Sequence, residues 1–124
     1  MKLKNFNLQY GTQIFKSFSD ESRVRIMYLL YRNEELCISD LELILDFTQT
    51  KTSRHITYLK HAGLLSYRKQ DQWVFYRVKE EVLDIVDRIF KFLNKDTVLL
   101  KDYETFEILN SNRELSINKI KLAY

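Results

Sequence analysis

Proline is absent, glycine occurs only at Gly11 and Gly63, and Cys37 is the single cysteine. A chain this short of both backbone punctuators has little irregular loop, which predicts a mostly helical fold. One thiol forms no internal disulfide, as expected of a reducing compartment, and the expected location is the cytoplasm. The first residues, MKLKNFNLQYGTQ, show no long apolar stretch and no small-residue cleavage site, so no signal peptide is expected. No window approaches the ~20 apolar residues that span a bilayer, and no membrane partner is expected. Glycine-rich phosphate loops, paired acids and Ser/His/Asp or Cys/His arrangements are also missing. The chain therefore reads as a non-enzyme with no catalytic residues, no cofactor and no metal.

What is present suits one domain, or one domain with an arm: 124 residues, 45% hydrophobic and 30% charged. Seventeen aromatic residues supply large apolar groups for a small core or an oligomer interface. The net charge is +3, but it is unevenly spread. Between Thr48 and Lys79 lie seven basic residues and one acid, a local balance of +6 against −3 for the rest. A basic middle in an acidic frame suggests a localised face for a polyanion.

Apolar spacing predicts a first helix from about Asn7 to Ser17 and a second after the N-cap Ser19-Asp20, with Val24, Ile26, Met27, Leu29 and Leu30 inward. Ser39-Asp40-Leu41-Glu42 reads as a capping box opening a third helix. A fourth begins after Thr48 and stops at Gly63, with Thr52, Ile56 and Leu59 inward. The period then becomes strand-like, and strands of roughly 65–69 and 73–78 flank Asp71-Gln72. Helical spacing returns from Lys79 to Leu93 and again at about 98–109. The stretch from Ser111 is open between a strand and an arm. The expected division is one domain at 1–110 and a tail at 111–124.

Two helices joined by a tight turn and followed by a hairpin form a DNA-reading unit. The fourth helix carries the side chains for it. Thr48, Gln49, Thr50, Lys51, Ser53, Arg54, His55 and Thr57 are groups that hydrogen-bond to base edges or phosphates, and His61 faces outward with them. Lys51 stands in the first helical turn, where the macrodipole disfavours a cation by ~0.3–1 kcal/mol, a choice that suits an anionic partner better than helix stability. Arg68, Lys69, Gln72 and Arg77 on the hairpin would add backbone or minor-groove contacts. The partner expected is double-stranded DNA. The alternative is a module that binds an acidic protein, though pure charge pairing has no use for Gln49, Thr50 and Ser53.

Several separated runs then carry a resemblance. Phe18-Ser19-Asp20-Glu21-Ser22-Arg23-Val24-Arg25-Ile26, Glu35 to Leu41, Thr48 to Ile56, Leu59 to Leu65 and Trp73 to Arg77 resemble the ArsR family of winged helix–turn–helix regulators, in that family's order and spacing. The resemblance implies a mainly α fold with a two-stranded β-wing, and a homodimer built from long first and last helices. It also implies repression at a palindromic operator and an effector that lowers DNA affinity. Leu8, Ile14, Phe15, Phe18, Ile85, Val86, Ile89, Phe90 and Leu93 are the expected core or dimer surface.

The departures from that family matter as much. Arsenite- and cadmium-sensing members often carry Cys-x-Cys where this chain has Cys37 and Ser39, so one thiolate is missing. Members that bind zinc on the last long helix use histidine there, whereas His55 and His61 both lie on the fourth helix. Six residues apart, these two point about 240° away from each other and form no clasp. The effector stays unknown, and Cys37 reads as a buried structural residue, with a reactive thiol as the alternative. Asp46 and Asp71-Gln72 stand where the family favours glycine, which predicts a left-handed Asp46 and a longer or differently shaped wing tip.

Overall fold

The computed structural model describes residues 6–121. Residues 1–5 of the expected domain and 122–124 of the expected tail lie outside the described residues. The order is α1 (Leu8–Ser17), α2 (Glu21–Arg32), β1 (Leu36–Cys37), α3 (Ile38–Leu45), α4 (Gln49–His61), β2 (Leu65–Gln70) and β3 (Trp73–Val78). A 3-10 turn at Glu80–Val82 leads into α5 (Leu83–Phe92), followed by α6 (Thr97–Ser111) and α7 (Ser116–Lys121). The winged-helix arrangement expected from the sequence is thus present.

Side-chain caps start four of the helices. Asn7, Asp20, Thr48 and Asp96 each accept a hydrogen bond from a backbone N–H three residues on. α2 is buried over five consecutive residues, Ile26 to Leu30, as befits a helix enclosed on most sides. Around it pack Leu36, Leu41, Ile56, Leu59, Leu64, Phe75 and Val82, all fully or nearly fully buried. Each such side chain contributes roughly 1.5–3 kcal/mol by leaving water.

Four details differ from the sequence reading. Leu36 and Cys37 pair with Tyr76 and Phe75, so the wing is part of a three-stranded antiparallel sheet ordered β1-β3-β2. That pairing holds Cys37 extended as the cap of α3, and Ser39 falls inside the helix rather than at its start. The helix expected from Lys79 onward is a 3-10 turn followed by the ten-residue α5. Residues 112–121 are neither strand nor free arm. They turn back through Arg113, at φ 57°, and bury Leu115, Ser116 and Ile117.

Two aspartates replace the glycines. Asp46 ends α3 in the left-handed region, at φ 58° and ψ 44°, and turns the chain into α4. Asp71, at φ 55°, supplies the positive φ of the wing tip, so the turn is tight: Gln70 pairs directly with Trp73. The longer tip expected from the missing glycine is not needed. Gly63 follows α4 at φ 85°, and a Cβ there would stand 3.1 Å from the Tyr10 ring.

Candidate nucleic-acid interface

α4 presents one polar face to solvent. Thr48, Gln49, Thr50, Arg54, Thr57 and His61 are exposed, with Lys51 and Ser53 half-buried between them. Thr48 caps the helix by accepting the Lys51 N–H at 3.2 Å, leaving the other first-turn N–H groups free for an anion. Lys51 Nζ lies 4.1 Å from the centre of the Phe47 ring, which holds this cation at the head of the helix.

His55 belongs to the opposite face. It is 6% exposed and lies beside Thr52, Ile56 and Leu59 on the buried side of α4. Burial holds its imidazole below the ordinary value of 6.5. The signal for this was its spacing, three residues after Thr52 and four before Leu59.

The wing divides its residues between two faces. Side chains alternate along a strand, and directly paired residues share a side. Tyr67 and Lys69 pair with Tyr76 and Val74, and Lys60 of α4 reaches over the Tyr67 ring at 4.8 Å. Lys69 is therefore on the side turned toward α4, and Gln72 is exposed at the tip. Arg68 and Arg77 alternate with that set, on the other side with Phe75. The Arg68 guanidinium is engaged by both carboxylate oxygens of Glu35, Nε at 2.9 Å from Oε2 and Nη2 at 2.5 Å from Oε1.

The α4 helix and α1 are joined directly. The Tyr10 hydroxyl donates to the Gly63 carbonyl at 2.6 Å, and Gln13 Nε2 donates to the Tyr58 hydroxyl at 3.2 Å. Arg23 stacks over Tyr58 at 4.0 Å and donates to the last carbonyls of α1, Ser17 at 3.0 Å and Lys16 at 2.9 Å.

An apolar surface lies on α1 and α5. Leu8, Phe15 and Phe92 are 86%, 73% and 87% exposed. Ile85, Ile89, Leu93 and Phe18 are half-buried, whereas Ile14, Val86 and Phe90 belong to the core of the protomer. Phe92 was missed in the sequence because it falls outside the inward spacing of α5. That misfit was itself the signal.

Cys37 is buried, and burial pushes its thiol up. The thiol donates to Asp40 Oδ2 at 3.2 Å and lies 3.1 Å from Ser39 Oγ. Among the described residues, no three His, Cys, Asp or Glu side chains gather as a metal ion would require. No helix among them is long and apolar enough to cross a membrane.

Comparison with known proteins fits this geometry. Residues 20–67, from the start of α2 into the wing, match the bacterial regulatory proteins of the arsR family. The arsenic resistance transcriptional regulator ArsR1 of Pseudomonas putida is 41% identical over 78 residues, which are 63% of this chain and 61% of that protein. The chain thus spans about three fifths of the length of that relative. The cadmium resistance transcriptional regulatory protein CadC of Listeria innocua is 33% identical over 87 residues, 69% of this chain and 73% of that one. Among solved structures, the homodimeric winged helix–turn–helix DNA-binding domain of Mb0332 from Mycobacterium bovis superposes with a TM-score of 0.64 at 20% identity, over 71% of this chain and 82% of that one. With the helix–turn–helix, the wing and the matched residues all in place, the chain belongs to the ArsR family of bacterial regulatory proteins.

Proposed function

We propose that the protein is a sequence-specific DNA-binding transcriptional regulator, a homodimer that represses at a palindromic operator and acts in the cytoplasm, where the bacterial chromosome lies. The observation that carries the reading is the exposed face of α4. Gln49, Thr50, Arg54 and Thr57 stand outward in a helix that begins at an open, capped N-terminus and lies beneath a basic wing. Long polar side chains of mixed type read base edges in a major groove, whereas an acidic protein surface needs only charge. Lys51, Lys69 and Gln72 extend the contact to phosphates. Arg68 and Arg77, on the far side of the wing, contribute at its edge.

The exposed Leu8, Phe15 and Phe92 form the dimer surface, joined by Ile85, Ile89 and Leu93 at its margin. Two copies related by a two-fold axis would set their α4 helices in successive major grooves, about 34–36 Å apart. The matched relatives are named as transcriptional regulators, and the superposed Mb0332 domain as homodimeric and DNA-binding. The folded regulatory unit extends beyond residue 110, because Leu115 and Ile117 complete its core.

The deciding experiment is a gel shift of the full chain on DNA from its own upstream region, beside the Arg54→Ala variant. Loss of one bidentate base contact costs about 1–3 kcal/mol, and the homodimer loses one from each protomer, so affinity should fall at least roughly five- to 150-fold while sedimentation still reports a dimer. Wild-type affinity in the variant would remove α4 from the interface.

A further inference from the structure

The C-terminal segment grips the helix–turn–helix at both ends of α3. At the far end, Asp102 of α6 holds Arg25 of α2 through two bonds, Nε at 2.9 Å and Nη2 at 3.0 Å. Arg25 in turn lies over Phe47, in the turn between α3 and α4. At the near end, the first turn of α7 meets the first turn of α3. Asp40 is 1% exposed, and its Oδ1 accepts the Ser116 N–H at 2.5 Å. Its Oδ2 accepts the Cys37 thiol at 3.2 Å and the Cys37 N–H at 3.4 Å. The hydroxyls of Ser39 and Ser116 are 3.0 Å apart. Two apolar side chains, Leu115 and Ile117, complete the seat.

This joint is lighter than the core it adjoins. Of the core side chains it carries only Leu115 and Ile117, so opening it exposes a small part of the apolar area that global unfolding exposes. On opening, the carboxylate, the two hydroxyls and the N–H exchange these partners for water, so the net worth of each bond is modest. A segment fastened this way at one end of a helix is built to come off without the rest unfolding. What it fastens is α3, whose Leu41, Ile44 and Leu45 pack against α4.

We propose that residues 115–117 form a releasable strap whose docking on Asp40 and Ser39 keeps α3, and through it the recognition helix, in its DNA-binding position. The effect on DNA rests on the function proposed above; the effect on α3 does not. Docked, the strap also covers Cys37, since Ser116 reaches both Ser39 and Asp40, the two groups that hold the thiol. Because Cys37 is the single cysteine, its labelling by an aromatic disulfide reagent, 5,5′-dithiobis(2-nitrobenzoate), times the opening of the strap directly.

The test uses the full chain and two variants. Leu115→Ala with Ile117→Ala removes the apolar seat. Ser116→Pro removes the N–H and the hydroxyl at the first position of a helix, where proline is tolerated. In both, Cys37 labelling should quicken at least about tenfold, amide exchange over residues 38–45 should rise, and DNA affinity should fall about tenfold or more. Unchanged labelling, or faster labelling with unchanged exchange in α3, overturns the strap. Faster labelling and exchange with undiminished DNA affinity overturns its link to DNA binding. If the wild-type chain binds no DNA, the functional reading fails, while labelling and exchange still judge the strap. Should the double variant lose its helical circular dichroism, Ser116→Pro alone decides.

Discussion

The imidazole of His55 is buried on the inner face of α4, and burial is the chief reason that it stays neutral below its ordinary 6.5. Asp20 pulls the other way, while the cations of Arg54, Arg23 and Lys51 reinforce the depression. The linkage then has a definite sign. An unfolded chain takes up the proton near 6.5, and the native chain resists until a lower pH. The stability that this contributes is complete above 6.5 and is lost as pH falls through the depressed native value. Urea unfolding at pH 7.5 and at pH 5 should show the wild type weakening, and His55→Gln should flatten that part of the profile. A variant with the same acid limb as wild type would put the proton uptake elsewhere. The same residue shows where side-chain chemistry misleads and spacing does not: polar character groups His55 with its outward neighbours, but its spacing puts it with Thr52 and Leu59.

Between elements, the tie from α2 to α6 is unequal at its two ends. Asp102 is buried, whereas the Arg25 side chain keeps 29% of its exposure. Removing the arginine strands a buried carboxylate, but removing the aspartate leaves a cation that water still reaches. Arg25→Ala should therefore cost about 2–3 kcal/mol and Asp102→Ala only about 1 kcal/mol, read from urea denaturation. Equal losses would mean that the pair matters only as packing. Legibility in the sequence followed the same logic. α2, α4 and the wing carry their periods in full, and Thr48 and Gly63 mark the limits of α4. β1 has two residues and no period to read. α7 has six residues, too few to be helical on its own, and it owes its form to Asp40 and the sheet. Contacts between segments so distant in the chain leave no local pattern.

Over the whole molecule, charge and apolar surface are divided between different faces. The basic stretch from Thr48 to Lys79 holds α4 and the wing, whereas the two most exposed aromatic residues among the described ones, Phe15 and Phe92, lie on α1 and α5. Phe15→Glu should separate the protomers without unfolding them, and sedimentation velocity would register a monomer. A monomer touches about half the phosphates, so the slope of log affinity against log salt should fall by roughly half. A dimer that survives this change would move the interface off α1.

The Tyr10 hydroxyl that clasps the Gly63 carbonyl gives α1 a second office. In the proposed dimer α1 meets its twin through Leu8 and Phe15, and through Tyr10 it is pinned to the foot of the reading helix. It is then the ruler between the two readers. The letters recognised belong to α4, but the gap at which the two words must be spaced belongs to α1. Operators with altered spacing would thus be met by changes in α1 and its tyrosine pin, far from any base.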